Sequence, residues 1–221
     1  MDFRWDIVYS YYDMFLMGGW MTLKLTAIAV TIGTIIGLIV ALARLTKFTP
    51  LRWFAAIYTD VIRGTPLLVQ IFIVHFGAPK LLGFSLSAMT SGLIALSINS
   101  GAYVAEIFRA GIQSIDKGQM EAARSLGMTY PQAMRHIILP QAFRRIIPPL
   151  GNEFIAMLKD SSLVSVISLP ELAMAGRTVY GSTYRVWEAW LPVAFVYLVM
   201  TLAFTRLVAW YESRLALKAH R

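Results

Sequence analysis

The chain has 221 residues, 57% of them hydrophobic and only 14% charged, with 20 Lys and Arg against 12 Asp and Glu and a formal net charge of +8. A mean hydropathy of +0.62 is too apolar for an ordinary soluble domain and points to an integral membrane protein. The cations lie between apolar spans rather than on one face, which argues against a nucleic-acid partner. The absence of Cys removes disulfide, thiolate-metal and Cys-nucleophile chemistry.

In chain order the reading is a single all-α membrane domain, 1–221, with five spans. Residues 1–17 place Asp2, Asp6 and Asp13 among aromatics, as an interfacial lead-in, and do not read as a signal peptide. The first span covers about 19–43. Its Gly33 and Gly37 stand four apart, a small-xxx-small spacing that admits a neighbouring helix. Arg44, Lys47 and Arg52 follow as a short basic loop, and the second span, about 53–76, carries Asp60, Arg63, Gly64 and Pro66. A turn at 77–87 leads to the third span, about 88–108. The fourth, about 146–169, is expected to be interrupted by Pro148, Pro149 and Gly151, and 170–188 reads as a polar loop. The fifth, about 190–210, is bracketed by Trp187, Trp190, Trp210 and Tyr211. About twenty residues between aromatic belts matches a bilayer core of roughly 30 Å.

Five crossings put the two ends on opposite sides, and Lys and Arg choose between them. Segments 44–52, 109–145 and the tail from Arg206 carry three, six and four, whereas the N-terminal lead, 77–87 and 170–188 carry one, one and two. The expectation is a cytoplasmic C-terminus, an N-terminus outside, and the polar stretch 116–140 in the cytoplasm.

That stretch reads as helix–Gly–helix. Asp116 with Gln119, and Thr129 with Gln132, have capping-box spacing. Gly127 supplies a left-handed stop. Pro131 sits in a first turn, where its missing N–H costs little, and Pro140 is expected to close the second helix.

Glu121-Ala122-Ala123, three residues, Gly127, nine residues, Ile137, one residue, Leu139-Pro140 resembles the EAA loop of permease subunits of ATP-binding-cassette importers. Arg63 to Gln70 (RGTPLLVQ), Ser100 to Gly111 (SGAYVAEIFRAG) and Leu158 to Leu163 (LKDSSL) are similar to the polar-amino-acid branch, the histidine, arginine, glutamine and glutamate permeases. The resemblance covers nearly the whole chain. It implies a type I importer permease fold with five helices per subunit and a coupling helix that docks on a separate ATPase. Glu121, Ala122, Ala123, Arg124 and Gly127 would form that docking surface. It further implies two ATPase subunits that bind ATP and Mg, a second permease subunit (a copy or a sister chain), an extracytoplasmic amino acid-binding protein, and residence in a bacterial cytoplasmic membrane. No cofactor is expected in this chain, which has no G-x-x-x-x-G-K-[ST] loop, and no metal, since His75, His136 and His220 lack ligand spacing.

Moving a zwitterion needs polar groups at membrane depth, where they are costly and by default functional. The fourth span is densest in them: Asn152, Glu153, Lys159, Asp160, Ser161 and Ser162. Glu153 and Asp160, seven apart, share a helix face. Lys159 is expected to meet the substrate carboxylate and Asp160 its ammonium, with Ser161 and Ser162 assisting, Glu153 meeting the side chain, and Asn99 and Thr65 completing the pocket. A carboxylate there favours arginine, lysine or histidine, then glutamine, then glutamate. The bland readings are a buried structural ion pair of Lys159 and Asp160 with each other or with a neighbouring span, an interhelical hydrogen bond for Asn99, an Arg63 partner for Glu153, and a surface pair of Glu106 with Arg109. An ion-coupled secondary transporter is the rival function, and it leaves the EAA loop without a purpose.

Overall fold

Small residues decide how this bundle closes. The computed structural model describes residues 2–219, and every regular element among them is a helix. A short α1 (Trp5–Ser10) precedes α2 (Tyr12–Leu45), whose 34 residues run about 51 Å at 1.5 Å each, well beyond a bilayer core. Phe15, Gly18, Thr22, Leu25, Ala29, Gly33, Gly37 and Ala41 are buried along one seam of α2. Against that seam packs α6 (Ala88–Gln113). A Cβ at Gly33 would stand 2.7 Å from Ser100 Cβ, and one at Gly37 2.6 Å from Val104 Cγ1. The small-xxx-small spacing therefore meets α6, which runs in the same direction as α2.

The second expected span is not one rod. α3 (Thr49–Arg63) and α4 (Leu67–Phe72) meet at a bend of 104°. Pro66 has no N–H to give and pushes Thr65 out of helical geometry, while Gly64 N–H closes α3 on Asp60 O at 2.9 Å. A π-turn (Ile73–Gly77) and α5 (Ala78–Leu82) follow, ending at Gly83 with φ +78°.

The polar stretch forms α7 (Lys117–Ser125) and α8 (Tyr130–Ala133). Pro140 does not close the second helix. α8 passes through a π-turn (Met134–Ile138) directly into α9 (Leu139–Asp160), with Pro140 in its first turn. Pro140 cannot donate to His136 O; the wider turn, with Leu139 N–H on Met134 O, absorbs that missing bond. Nor do Pro148, Pro149 and Gly151 break the helix, since α9 runs through all three. The irregular backbone comes later, as a 3-10 turn (Ser161–Ile167) ending at Ser168 with φ +61°.

The expected polar loop 170–188 is mostly helix, α10 (Leu172–Thr183), followed by α11 (Val186–Ala219). The carboxylate of Glu171 starts α10. It accepts N–H bonds from Ala173 (2.8 Å) and Met174 (2.7 Å) and hydroxyls from Tyr197 (3.0 Å) and Thr22 (3.4 Å). Four donors satisfy a fully buried acid.

By length and apolarity, the described Tyr12–Leu45, Ala88–Gln113 and Val186–Arg214 suffice to cross a membrane, and the bent pair Thr49–Arg63 with Leu67–Leu81 makes a fourth if taken as one crossing. α9 carries Arg144, Arg145, Glu153, Lys159 and Asp160 and falls outside that measure. Packing holds it in the bundle: Ile146, Met157 and Leu158 are buried, and α9 lies against both α6 and α11.

Candidate functional site

The polar residues that the sequence singles out fall in the hairpin α7–α8 and within the bundle. In the hairpin, Asp116 caps α7 through Gly118 N–H at 2.7 Å. Gln119 does not complete a capping box; its side chain accepts from Gln141 Nε2 at 3.2 Å and ties α7 to α9. α7 ends in a Schellman turn, with Gly127 at φ +85°, Gly127 N–H on Arg124 O (3.0 Å) and Met128 N–H on Ala123 O (3.1 Å). The Thr129–Gln132 box is complete. Ala123 and Ala133 are buried, so Ala123 serves the hairpin's own packing. Glu121, Ala122, Arg124 and Gly127 face outward. Sequence reasoning missed Leu126, which is 84% exposed at the tip; the signal was an apolar residue beside a left-handed glycine, where nothing local can cover it.

Because α8, the π-turn and α9 are continuous, the hairpin's second arm is the base of the helix that carries Glu153, Lys159 and Asp160. Glu153 is half-buried. It shares a seam with Ile146, Leu150 and Met157, and Ile146 of that seam packs on Gly111 of α6. Beside Glu153 stands Ser100 of α6. The hydroxyls of Ser100, Ser97 and Thr26 are buried with no hydrogen-bond partner among the described residues. Lys159 and Asp160 are exposed on the single chain and form no ion pair among the described residues. Ser161 is buried and donates to Leu158 O at 2.8 Å; Ser162 is half-buried.

Asn99 and Thr65 belong to a separate network. Asn99 Nδ2 donates to Gln70 Oε1 (3.0 Å). Gln70 Nε2 donates to Ile62 O (2.7 Å), Thr65 O (3.1 Å) and Thr65 Oγ1 (2.9 Å). Asn99 thus makes the interhelical bond weighed as its alternative, and the network satisfies carbonyls that the bend sets free.

Glu106 is more than one end of a surface pair. Its carboxylate, 16% exposed, takes Arg44 Nη1 (2.5 Å) and Arg109 Nε and Nη2 (3.0 and 2.7 Å), with Arg63 at 3.9 Å. Arg44 also reaches Thr59. This cluster joins the last turns of α2 and α3 to α6; the one carboxylate is fully used by its arginines, which leaves an excess of positive charge away from full solvent. Arg63, which also lies 5.3 Å over the Tyr103 ring, is engaged here and is not the partner of Glu153.

Among the described residues no three His, Asp or Glu are placed to hold a metal ion. His75 Nδ1 pairs with Ser91 Oγ at 3.0 Å, His136 is exposed, and His220 lies outside the described residues.

The comparisons with known proteins decide the family. Residues 33–217 match the model of the binding-protein-dependent transport system inner membrane component. The chain belongs to this family. It is 43% identical over 210 residues to the probable glutamine ABC transporter permease protein GlnM of Bacillus subtilis (strain 168), covering 95% of this chain and 97% of that protein. Identity is also 43%, over 83% of this chain and 84% of the relative, to the arginine transport system permease protein ArtQ of the same organism. A crystal structure of an amino acid ABC transporter with histidines superposes with a TM-score of 0.93 at 48% identity, covering 97% of this chain and all of that one. The fold is that of a type I ABC importer permease. Members of this family are transport subunits, not enzymes, and ATP is hydrolysed by a separate ATPase. The ion-coupled reading finds no support in them.

Proposed function

We propose that this family member imports a polar amino acid, with arginine, lysine and histidine favoured over glutamine and glutamine over glutamate. The observation that carries the reading is Glu153: a half-buried carboxylate on α9, beside the buried Ser100 hydroxyl, with Arg63 held elsewhere by Glu106 and Tyr103. An acid so placed attracts a cationic side chain and repels an anionic one, more strongly in a low dielectric. The relatives named for arginine and for glutamine support the class and leave the member open.

In this reading Lys159 takes the substrate α-carboxylate and Asp160 its α-ammonium, since neither is used up by an ion pair among the described residues. Ser161 and Ser162 set the turn that presents them. Thr65 and Asn99 form the wall of the path through the bend they hold. α9 serves as a crossing, giving five, with the N-terminus outside a bacterial cytoplasmic membrane and the C-terminus within. The cation count of the two sets of segments supports that orientation. Glu121, Ala122, Arg124 and Gly127 meet one of two ATPase subunits, with Ala123 shaping the hairpin beneath them. A second permease subunit and an extracytoplasmic binding protein complete the importer.

The test is a thermal-shift panel of amino acids on the purified complex and on its Glu153→Gln variant. Stabilisation by basic amino acids that disappears in the variant supports the reading. Stabilisation by glutamine or glutamate that persists in it removes Glu153 from the substrate.

A further inference from the structure

At the end of the bundle that carries the hairpin, α3, α6 and α9 form an open groove of about 540 Å³ lined by Arg63, Tyr103, Glu106, Ala110, Arg145 and Pro149 among others. Its charge does not cancel. The Glu106 carboxylate is taken by Arg44 and Arg109. Arg63 is 3.9 Å from Glu106, lies over Tyr103, and makes no hydrogen bond among the described residues. Arg145 gives one N–H, from Nη1, to Ser114 O at 2.5 Å and spends none of its other donors among the described residues. Each guanidinium has five N–H groups in a planar fork that fits a carboxylate or phosphate. Two such forks, with unspent donors, therefore face a roomy groove beside Pro149 and Ala110.

We propose that this groove is an oxyanion site in which Arg63 and Arg145 hold a phosphate or carboxylate group. The source is either the headgroup of an anionic lipid or the carboxylate of a small solute. The groove's lining includes neither Glu153 nor Ser100, and binding of lipid phosphate there does not depend on which amino acid is carried. An anion would also draw Arg63 away from Glu106, so occupancy would act on the junction of α3 with α6.

The experiment uses the permease purified with its ATPase in phosphatidylcholine nanodiscs. The melting temperature is followed as phosphatidylglycerol is mixed into the discs and, separately, as inorganic phosphate or acetate is added. Arg63→Gln with Arg145→Gln removes the forks, and Ala110→Leu fills the groove while leaving every charge in place, which guards against a double variant that fails to fold. Arg52→Gln with Arg206→Gln removes two exposed charges elsewhere. The expected result is stabilisation whose apparent affinity falls about ten-fold or more in the double variant and in Ala110→Leu and is unchanged in the control. Stabilisation by phosphatidylglycerol alone identifies a lipid headgroup, and by soluble anions alone a small solute. No stabilisation by either, or an equal loss in the control, overturns the proposal.

Discussion

Asn99 on α6 donates its amide to Gln70 on α4 at 3.0 Å, 29 residues away along the chain. Gln70 in turn holds Ile62 O and Thr65 on the far side of the 104° bend. A broken helix at membrane depth leaves backbone groups that lipid cannot satisfy. Gln70→Leu is expected to cost about 1–3 kcal/mol, because it orphans those carbonyls and the Asn99 amide. Asn99→Ala should cost less, and the double variant should cost less than the sum. Urea or thermal unfolding of the purified complex reads all three; strictly additive losses would mean the two side chains do not act together.

The approach of α2 to α6 allows a sharper test. Gly37→Leu drives a side chain into Val104, which a Cβ alone would already meet at 2.6 Å. Overpacking of this kind costs about 1–3 kcal/mol, or more when backbone must move. The Gly83→Leu variant is the contrast: nothing lies within 4 Å of a Cβ there, and its penalty is confined to the left-handed φ of +78°. The first should lower the midpoint of unfolding more than the second.

Glu106→Gln should leave Arg44, Arg63 and Arg109 facing one another around a neutral amide. A loss of about 1–3 kcal/mol is expected, and high salt should narrow the gap to the parent by screening the arginines. Unfolding midpoints at low and high salt check both; a gap that does not depend on salt would mean the carboxylate acts only through packing.

Ser100 separates support of the fold from contact with the substrate. Among the described residues its hydroxyl makes no bond of normal length, and its near neighbour is Glu153, so Ser100→Ala should unfold within about 0.5 kcal/mol of the parent. If the hydroxyl meets the solute beside Glu153, uptake should nevertheless fall. Unchanged uptake would place it outside the path.

What was legible in the sequence was local. The hairpin follows from Gly127, Thr129 and Gln132, because each acts on backbone within a turn of itself, and Gly33 with Gly37 announced a close helix without naming α6. What was not legible depended on partners distant in the chain. Gly64-Thr65-Pro66 was visible as an impurity in a span, but the bend is made viable by Gln70 and Asn99. Glu106 looked like an i,i+3 pair because Arg44 and Arg63 arrive from other helices. Glu171 falls in the stretch that reads as a polar loop, and the hydroxyls of Thr22 and Tyr197 that hold it come from distant helices. Pro140 read as a stop because a proline ordinarily costs a helix bond, and the π-turn before it removes that cost.

The central claim is that the hairpin, continuous with α9, links ATP hydrolysis on a separate subunit to movement of an amino acid. It is tested most directly at Gly127, whose φ of +85° costs a β-branched residue about 1–2 kcal/mol, while open space around it leaves the rest of the fold untouched. ATP hydrolysis and uptake of labelled arginine, lysine, histidine, glutamine and glutamate would be measured together in proteoliposomes holding the complete importer. The account predicts ATP-dependent uptake in the parent, hydrolysis that outruns uptake in Gly127→Val, and recovery in Gly127→Asn, which tolerates the left-handed turn. Uptake that needs no ATP, or a Gly127→Val importer as tightly coupled as the parent, would contradict it.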